Sequence, residues 1–396
     1  MRLFRLTLMC SCLLLALSAG YAQRKEISQA RTILKSGKKV EDAEKLMVNL
    51  LKDSANMDNK RIYAIWYESV LGQYLAVNEK LYMKQRQDTA QFYELTRRLF
   101  SVAYSLDSLD ARPDRKGKVN LEFRKDHAER LNKYRPNLFY ASTYFVRKGD
   151  FKRAYQFCEA YMDCARQPLF TGYSLDSTDT RIPEAAYWAT YSGYRLNDAV
   201  LTLRYRHQAL RDTSKSAFTL QYMAEARSWL KDDSLYVETL REGFRRYPQH
   251  QYFFPRLLDY YNLYGQTDSA LALADSALAV NDSSQLFLFA KASVLFNLAR
   301  YDECIKLSEQ LIQKNDSMPE PYYMIGTSYL NQALKLHPLR EKKQLRAVYE
   351  KARTYMERYR LLAPSQKQNW GPALYRIYLN LNLGKQFDEM DRLLKK

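Results

Sequence analysis

Apolar residues recur along most of this sequence at the three- and four-residue spacing of amphipathic helices, separated by short polar or glycine-containing breaks. Near the N-terminus, Ser36-Gly37-Lys38 separates two such patterns, and Ala43 and Met47 lie on one face of the second. With 46% apolar residues, 12 glycines and 11 prolines, the composition excludes disorder and a turn-rich β fold. The pattern therefore predicts a folded, all-α protein. Further helical patterns cover 62–77, 88–103, 134–166 and 182–211.

From Ala217 onward, the helical pattern repeats with a period of 34 residues. Each block predicts two helices, a polar turn between them and a polar or proline break at the end. The block that starts at Pro319 places its second helix about 14 residues late, which predicts an insertion around 335–348. The segment from Trp370 to the C-terminus predicts a last unit that caps the array. The complete blocks are 217–250, 251–284 and 285–318.

The period and the two-helix rhythm resemble the tetratricopeptide repeat (TPR) family, whose units carry a small residue at positions 8 and 27, alanine at position 20 and proline at position 32. The resemblance implies a helical-hairpin solenoid that curves as a right-handed superhelix, in an exported protein of the bacterial envelope type. Matching residues are Ala224, Ala292 and Gly326 at position 8, Ala270 and Ala352 at position 20, where Cys304 is a small replacement, Gly243 and Ala277 at position 27, and Pro248 and Pro364 at position 32.

The repeats divide the chain into predicted segments. The charged stretch 107–134 predicts a loop or a partly helical insertion, and it marks the predicted boundary between two sub-arrays. The predicted segments are 1–22, a signal peptide; 23–106, N-terminal helical repeats; 107–134, the charged insertion; 135–216, TPR-like hairpins; and 217–396, the C-terminal TPR array.

The N-terminus has the pattern of a secretory signal. Arg2 and Arg5 precede an apolar run from Leu6 to Ala19, and Gly20-Tyr21-Ala22 places small residues where a signal peptidase would cleave before Gln23. A membrane anchor is the alternative, but this run is shorter than the about 20 residues that cross a bilayer. We expect a periplasmic or secreted, envelope-associated protein without a lipid-attachment motif and without a transmembrane segment in the mature chain.

Three cysteines follow the predicted cleavage site: Cys158, Cys164 and Cys304. Cys158 and Cys164 are six residues apart, a spacing that separates them around one helix and suits neither a bridge between them nor a metal knuckle. We expect all three to be small buried residues. A bridge from either of the first two to Cys304 would require distant repeats to touch.

The chain is strongly basic, with a formal net charge of +18, and loss of Arg2 and Arg5 would leave +16. In an exported protein, such charge favours anionic lipid headgroups, surface glycans or acidic proteins over nucleic acid. Charge runs also commonly only solvate a helix face, and that alternative stays open. The predicted basic patch comprises Lys335, Arg340, Lys342, Lys343 and Arg346.

No motif of catalytic or metal chemistry occurs in the sequence. His127, His207, His250 and His337 are isolated, and there is no glycine-rich phosphate loop or Gly-x-Ser-x-Gly elbow. Ser36-Gly37-Lys38-Lys39 matches a literal Ser-x-x-Lys, but it lies in a predicted inter-helix turn. We therefore expect no enzyme activity, cofactor or metal.

The TPR resemblance implies a concave surface, built from the first helix of each unit, that binds a protein or peptide partner. The lysines and asparagines with which one TPR subclass clamps a C-terminal carboxylate are absent here. The residues at these positions instead suggest an apolar, tyrosine-lined aromatic groove, and we expect a non-catalytic scaffold. The alternatives are that these aromatics are core residues, or that the protein is an accessory subunit that binds anionic glycan or lipid headgroups through its basic patch. Candidate groove residues are Phe139, Trp229, Tyr252, Phe289, Phe296 and Tyr323.

Overall fold

The computed structural model describes residues 23–114 and 116–395, and all regular structure in these ranges is helical. The predicted signal peptide, 1–22, lies outside the described residues. No helix in the described ranges combines the length and apolar character that crossing a bilayer requires. The chain divides into two compact units, the first ending at Asp233 and the second starting at Ser234.

The first unit contains helices that pack mainly on their neighbours in sequence, as expected of helical hairpins. Tight turns close the pairs, with Gly37 at φ +65° and Gly149 at φ +74°, backbone conformations that glycine adopts without steric cost. The helices are α1 (23–36), α2 (Val40–Leu50), α3 (Lys60–Tyr82), α4 (Thr89–Asp110), α5 (Arg124–Tyr134), α6 (Pro136–Arg147), α7 (Phe151–Asp163), α8 (Leu175–Thr178), α9 (Ile182–Arg195), α10 (Ala199–Arg204), α11 (Arg206–Ala209) and α12 (Ser216–Trp229).

The charged segment between α4 and α6 is held against the first unit by buried carboxylates. Asp110, whose side chain is fully buried, accepts hydrogen bonds from Lys60 Nζ at 2.8 Å and from the Phe123 backbone N–H at 2.9 Å. Asp107 pairs with Arg124 through two hydrogen bonds of 2.7 and 2.8 Å. Buried carboxylates need such partners, so the bonds bring the chain back onto α4 and start α5 there.

This segment lies inside the first unit, because Ala128 and Leu131 of α5 belong to its main core cluster. The division between the compact units falls instead within the predicted 217–250 repeat, after Asp233. The difference arises because sequence composition registers the charge of the segment, whereas its partners on α3 and α4 are set by tertiary packing. The finer segment boundaries stay a prediction.

The second unit repeats the two-helix pattern with short turns. Gly265 at φ +64° and Ala299 at φ +56° end the first helices of two successive pairs, at the predicted turn positions. First helices begin at Phe253, Gln285 and Pro319, so their spacing of 32 and 34 residues follows the sequence period. The helices are α13 (Asp233–Arg246), α14 (Phe253–Leu263), α15 (Thr267–Val280), α16 (Gln285–Asn297), α17 (Tyr301–Lys314), α18 (Pro319–Ala333), α19 (Lys342–Leu362), α20 (Lys367–Asn380) and α21 (Gly384–Leu394).

Small residues allow these helices to approach closely. Ala270, Cys304 and Ala352, all assigned to repeat position 20, are fully buried. A Cβ on Gly243 would lie 2.3 Å from the Phe253 ring, so only glycine leaves room for that ring at the contact between α13 and α14.

The late second helix of the Pro319 repeat is α19, and the predicted insertion forms a turn before it and lengthens its start. The predicted class, an all-α helical-repeat solenoid, is confirmed.

The three described cysteines, Cys158, Cys164 and Cys304, are free and buried, as expected of small core residues. Burial raises the pKa of Cys158 and of Cys164 to about 12, so both remain thiols at neutral pH. Tyr104 lies 3.2 Å from the Cys164 sulfur and shares a hydrogen bond with it.

Candidate functional site

A row of aromatic rings spans α9 and α12 of the first unit. We name Trp188, Tyr191, Tyr194, Tyr222 and Trp229 the aromatic face. The Tyr194 ring lies between the Tyr222 ring, 4.6 Å away, and the Trp229 ring, 5.7 Å away and tilted by only 12°. Tyr191 lies 5.6 Å from Tyr222 and 6.0 Å from Trp188. The rings therefore form one continuous packed surface in stacked and edge-on geometries.

Local sequence places these rings on one side of their helices. Trp188, Tyr191 and Tyr194 are three residues apart on α9, and Tyr222 and Trp229 are seven apart on α12, spacings that keep side chains on one helical face. Tyr222 is buried and forms the floor, the three α9 rings are half-buried, and Trp229 is 38% exposed. The aromatic face is therefore partly exposed to solvent on one side and packed on the first unit on the other.

The opposite side of α9 packs on α10 through a glycine. A Cβ on Gly193 would lie 2.5 Å from the backbone nitrogen of Thr202, closer than real Cβ contacts allow. The backbones of α9 and α10 therefore lie in direct contact at Gly193, and this contact sets the position of α9 and of the rings that it carries. Asp198 caps α10 by accepting a hydrogen bond from the Leu201 N–H at 2.9 Å.

A cation lies beside Tyr191 of the aromatic face. Arg195, exposed in the last turn of α9, places its guanidinium carbon 4.3 Å from the centre of the Phe151 ring. Its Nη1 donates a 2.6 Å hydrogen bond to the Tyr191 hydroxyl. No carboxylate in the described ranges forms an ion pair with it. The guanidinium is therefore oriented by aromatic contacts and retains donors for an outside carboxylate.

The other edge of the face is closed by ionic contacts. Trp188 Nε1 donates to Glu184 at 3.3 Å, and Lys215 Nζ lies 3.3 Å from that carboxylate and 3.1 Å from Asp212. Burial disfavours the charged form of Lys215, but its hydrogen bond to Asp212 and the Glu184 charge outweigh burial and raise its pKa. Burial also raises the pKa of Tyr187, beneath this edge. These groups thus stay protonated at neutral pH and fix the Trp188 ring.

The structure places two of the predicted groove residues in the interior of their units. Phe139 is only 7% exposed, and its ring lies 5.6 Å from Tyr161. Tyr252 is also 7% exposed, with the Arg256 guanidinium 3.9 Å from the centre of its ring. Trp229 belongs to the aromatic face.

The other three predicted groove residues are half-buried in the second unit. Phe296 and Tyr323 come together, with ring centroids 6.4 Å apart, and Tyr323 also lies 5.1 Å from Tyr359 of α19. Phe289 packs on the neighbouring cluster of α16 and α17. Their role in binding stays a prediction.

The predicted basic residues are all exposed around the turn between α18 and α19. Lys335 follows α18, Arg340 lies in the turn, and Lys342, Lys343 and Arg346 occupy the first turns of α19. The Lys335 ammonium lies 5.7 Å from the Tyr301 ring.

Sequence reasoning missed most of the aromatic face, since only Trp229 was a candidate. The signal was the three-residue spacing of aromatics in 188–194, but this helical pair does not follow the 34-residue register. The TPR repeat positions from which the groove candidates were chosen therefore could not be assigned to Trp188, Tyr191 or Tyr194. Within the described ranges, no group of three His, Cys, Asp or Glu side chains is arranged to hold a metal ion.

No protein-family model matches this chain, and no curated protein matches it. Among solved structures, it is similar to the C-terminal part of a TPR repeat-containing protein from Cytophaga hutchinsonii, with 11% identity and a TM-score of 0.43 over 64% of this chain and 92% of that chain. A tetratricopeptide repeat protein from Parabacteroides merdae is 16% identical, with a TM-score of 0.36 over 67% of this chain and 100% of that one.

These superpositions are partial, with TM-scores below 0.5, and the assignment of the fold rests on the helices themselves. Paired helices at TPR-like spacing, with small residues at their contacts, define an all-α helical-repeat protein with a TPR-like fold.

Proposed function

We propose that the protein is a non-catalytic interaction scaffold, exported to the periplasm or cell envelope, which binds an extended segment of a protein partner on its aromatic face. The observation that carries this proposal is the row of partly exposed rings with the oriented guanidinium of Arg195 beside Tyr191.

The chemistry of the face indicates the kind of segment that it would bind. Aromatic side chains supply large contact area, and rings that are already packed lose little conformational entropy on binding. Arg195 would pair with a carboxylate of the partner through its free donors. We therefore expect a segment that combines apolar or aromatic side chains with a carboxylate, from an acidic residue or a chain terminus.

The first experiment selects peptides from a random library on the purified protein and measures their affinity by fluorescence anisotropy. Trp229→Ala should weaken binding by about 2 kcal/mol or more, as for an aromatic hot spot. Arg195→Gln should weaken peptides with an acidic residue and leave their amide analogues unaffected. Helicity by circular dichroism should be unchanged in both variants, because both side chains are exposed.

A matched variant distinguishes this surface from the groove predicted in the second unit. Phe289→Ala with Tyr323→Ala removes two half-buried rings there. If this double variant loses binding at unchanged stability while Trp229→Ala does not, the site belongs to the second unit and our assignment to the aromatic face is wrong. If the selected peptides bind all variants equally, neither surface is the site.

Export is tested separately, by mass spectrometry of the N-terminus of the protein purified from its native cells. We expect an N-terminus at Gln23, because the charged start, apolar run and Gly-Tyr-Ala have the order that signal peptidase requires. An intact Met1 on a cytosolic protein would contradict the proposed compartment.

A further inference from the structure

The turn between α18 and α19 presents leucine and cationic side chains together. We name residues 334–346 the leucine–cation loop. It is the place where the repeat register is interrupted, since α19 starts late and is longer than the second helices α15 and α17. The loop follows Ala333, which is buried in the core of the second unit, and therefore has a fixed base.

The loop is ordered by one histidine and one carboxylate. The backbone N–H of His337 donates to Glu341 Oε2 at 2.7 Å, and the Glu341 N–H donates to the His337 carbonyl at 3.0 Å. The His337 ring accepts hydrogen bonds at Nδ1 from the N–H groups of Leu339 and Arg340, both at 3.3 Å. These bonds fold the backbone inward, and Leu339 lies at the tip of the turn.

Leu345 packs on the core of the second unit, but two other leucines of this loop lie largely in water. Leu339 is 85% exposed and Leu334 is 66% exposed, whereas a leucine that contributes to a core is almost completely removed from water. Single exposed leucines are common on proteins. Here, however, two lie within six residues and beside a concentration of positive charge.

The loop also carries an excess of positive charge, with five Lys or Arg against one Glu. Its five cations, the residues of the predicted basic patch, form no ion pair with any carboxylate in the described ranges. The one acidic residue of the loop, Glu341, is occupied by the His337 N–H. On the neighbouring part of α19, Glu350 pairs with Arg353 instead. An anionic partner would therefore meet free ammonium and guanidinium groups.

We propose that the leucine–cation loop docks the protein on the surface of an anionic lipid bilayer, with Leu339 and Leu334 entering the boundary between headgroups and acyl chains. Cations contribute by attraction to lipid phosphates, and leucines by leaving water, so an anionic bilayer uses both residue types at once. A soluble polyanion such as a glycan would use the cations but not the leucines. This inference is independent of the aromatic face, which lies in the first unit.

The test measures partition of the full protein, as purified from native cells, into sedimentable vesicles of phosphatidylcholine alone or with 30% phosphatidylglycerol. Wild type should bind the anionic vesicles and not the neutral ones. Lys342→Gln with Lys343→Gln should lower the partition coefficient about 25-fold, since each basic residue near an anionic surface contributes about fivefold. Leu339→Ser should lower it about tenfold.

Matched controls come from elsewhere in the second unit. Lys306→Gln with Lys314→Gln makes the same charge change at two exposed lysines of α17, and Leu263→Ser removes another leucine, 79% exposed, at the end of α14. Both controls should change the partition coefficient less than twofold. If they lower it as much as the loop variants, binding depends on overall charge and surface and the proposal is wrong.

Insertion itself is measured with an environment-sensitive NBD label on Leu339→Cys. The described cysteines are buried, so under native conditions the label reaches the new thiol, and labelled wild type provides the background. Anionic vesicles should shift the emission to the blue, and lipids brominated near the headgroup should quench it. Insertion would be refuted if binding depends on Lys342 and Lys343 while Leu339→Ser partitions like wild type and anionic vesicles do not change the NBD emission. Equal competition by soluble heparin for all variants, without vesicle binding, would identify a glycan ligand instead.

Discussion

His127 should make the stability of the first unit depend on pH. Its imidazole is 5% exposed and lies between the Tyr67 ring, 3.9 Å away, and the Phe123 ring, 5.6 Å away. Burial lowers the pKa of His127 to about 4, assisted by the Arg130 charge, although the carboxylates of Asp126, Asp107 and Asp110 oppose the shift. The neutral imidazole is therefore the folded form.

The sign and size of the effect follow from this pKa. In the unfolded chain the imidazole titrates near its ordinary value of about 6.5. Above that pH both states are neutral and the full stability is present. As the pH falls from 6.5 towards 4, the unfolded state binds a proton that the folded state does not, so the unit loses about 2 kcal/mol between pH 7 and pH 5 and about 3 kcal/mol by pH 4.

Hydrogen exchange measured by mass spectrometry resolves this unit, because peptides from α3 and α5 report the opening of the helices around the ring. Wild type is compared with His127→Phe, which retains a ring for stacking but does not titrate, and with His127→Gln if the larger ring is not accommodated. The comparison is needed because burial raises the pKa of Glu68, which acts with the opposite sign. We expect wild type to lose about 2 kcal/mol more than the variant between pH 7 and pH 5. Equal losses would refute the enclosed, neutral imidazole.

Other predictions concern packing, a buried ion pair and the thiols. Gly193→Ala should cost about 3 kcal/mol in thermal unfolding, since its Cβ would meet the backbone of α10 at 2.5 Å, whereas Gly172→Ala, with nothing within 4 Å, should be nearly neutral; equal melting temperatures would argue against the close helix contact. Asp179→Ala should destabilise the first unit in urea by about 3–5 kcal/mol, because it removes the carboxylate that lies 2.6 Å from the buried guanidinium of Arg135. A cost below 1 kcal/mol would indicate that this ion pair is solvated. Cys158 and Cys164 should resist iodoacetamide in the native protein and react fully in urea, and rapid native alkylation would contradict their burial.

Much of the architecture could be predicted from the sequence because its signals are local. Gly149 and Gly265 mark turns that need positive φ, and the alanines of successive repeats mark helix contacts that need small residues. Each of these constraints acts between residues close in the chain, so a periodic sequence displays it directly. The free, buried cysteines were predicted on the same grounds, from spacing that suits neither a bridge nor a metal site.

Tertiary structure decided which of the many aromatics meet solvent. Phe139 and Trp229 were equivalent candidates in the sequence, but Phe139 is buried against Tyr161, whereas Trp229 stacks on Tyr194 with its outer side exposed. Helical periodicity assigns a residue to one face of its own helix and does not say whether another helix covers that face. Similarly, the sequence shows that the segment before α5 is charged, but not that it packs on the first unit. That packing depends on Asp110, whose hydrogen-bond donors, Lys60 and the Phe123 N–H, lie elsewhere in the chain. Burial is a property of the neighbours that packing brings together, which is why it became visible only in the folded structure.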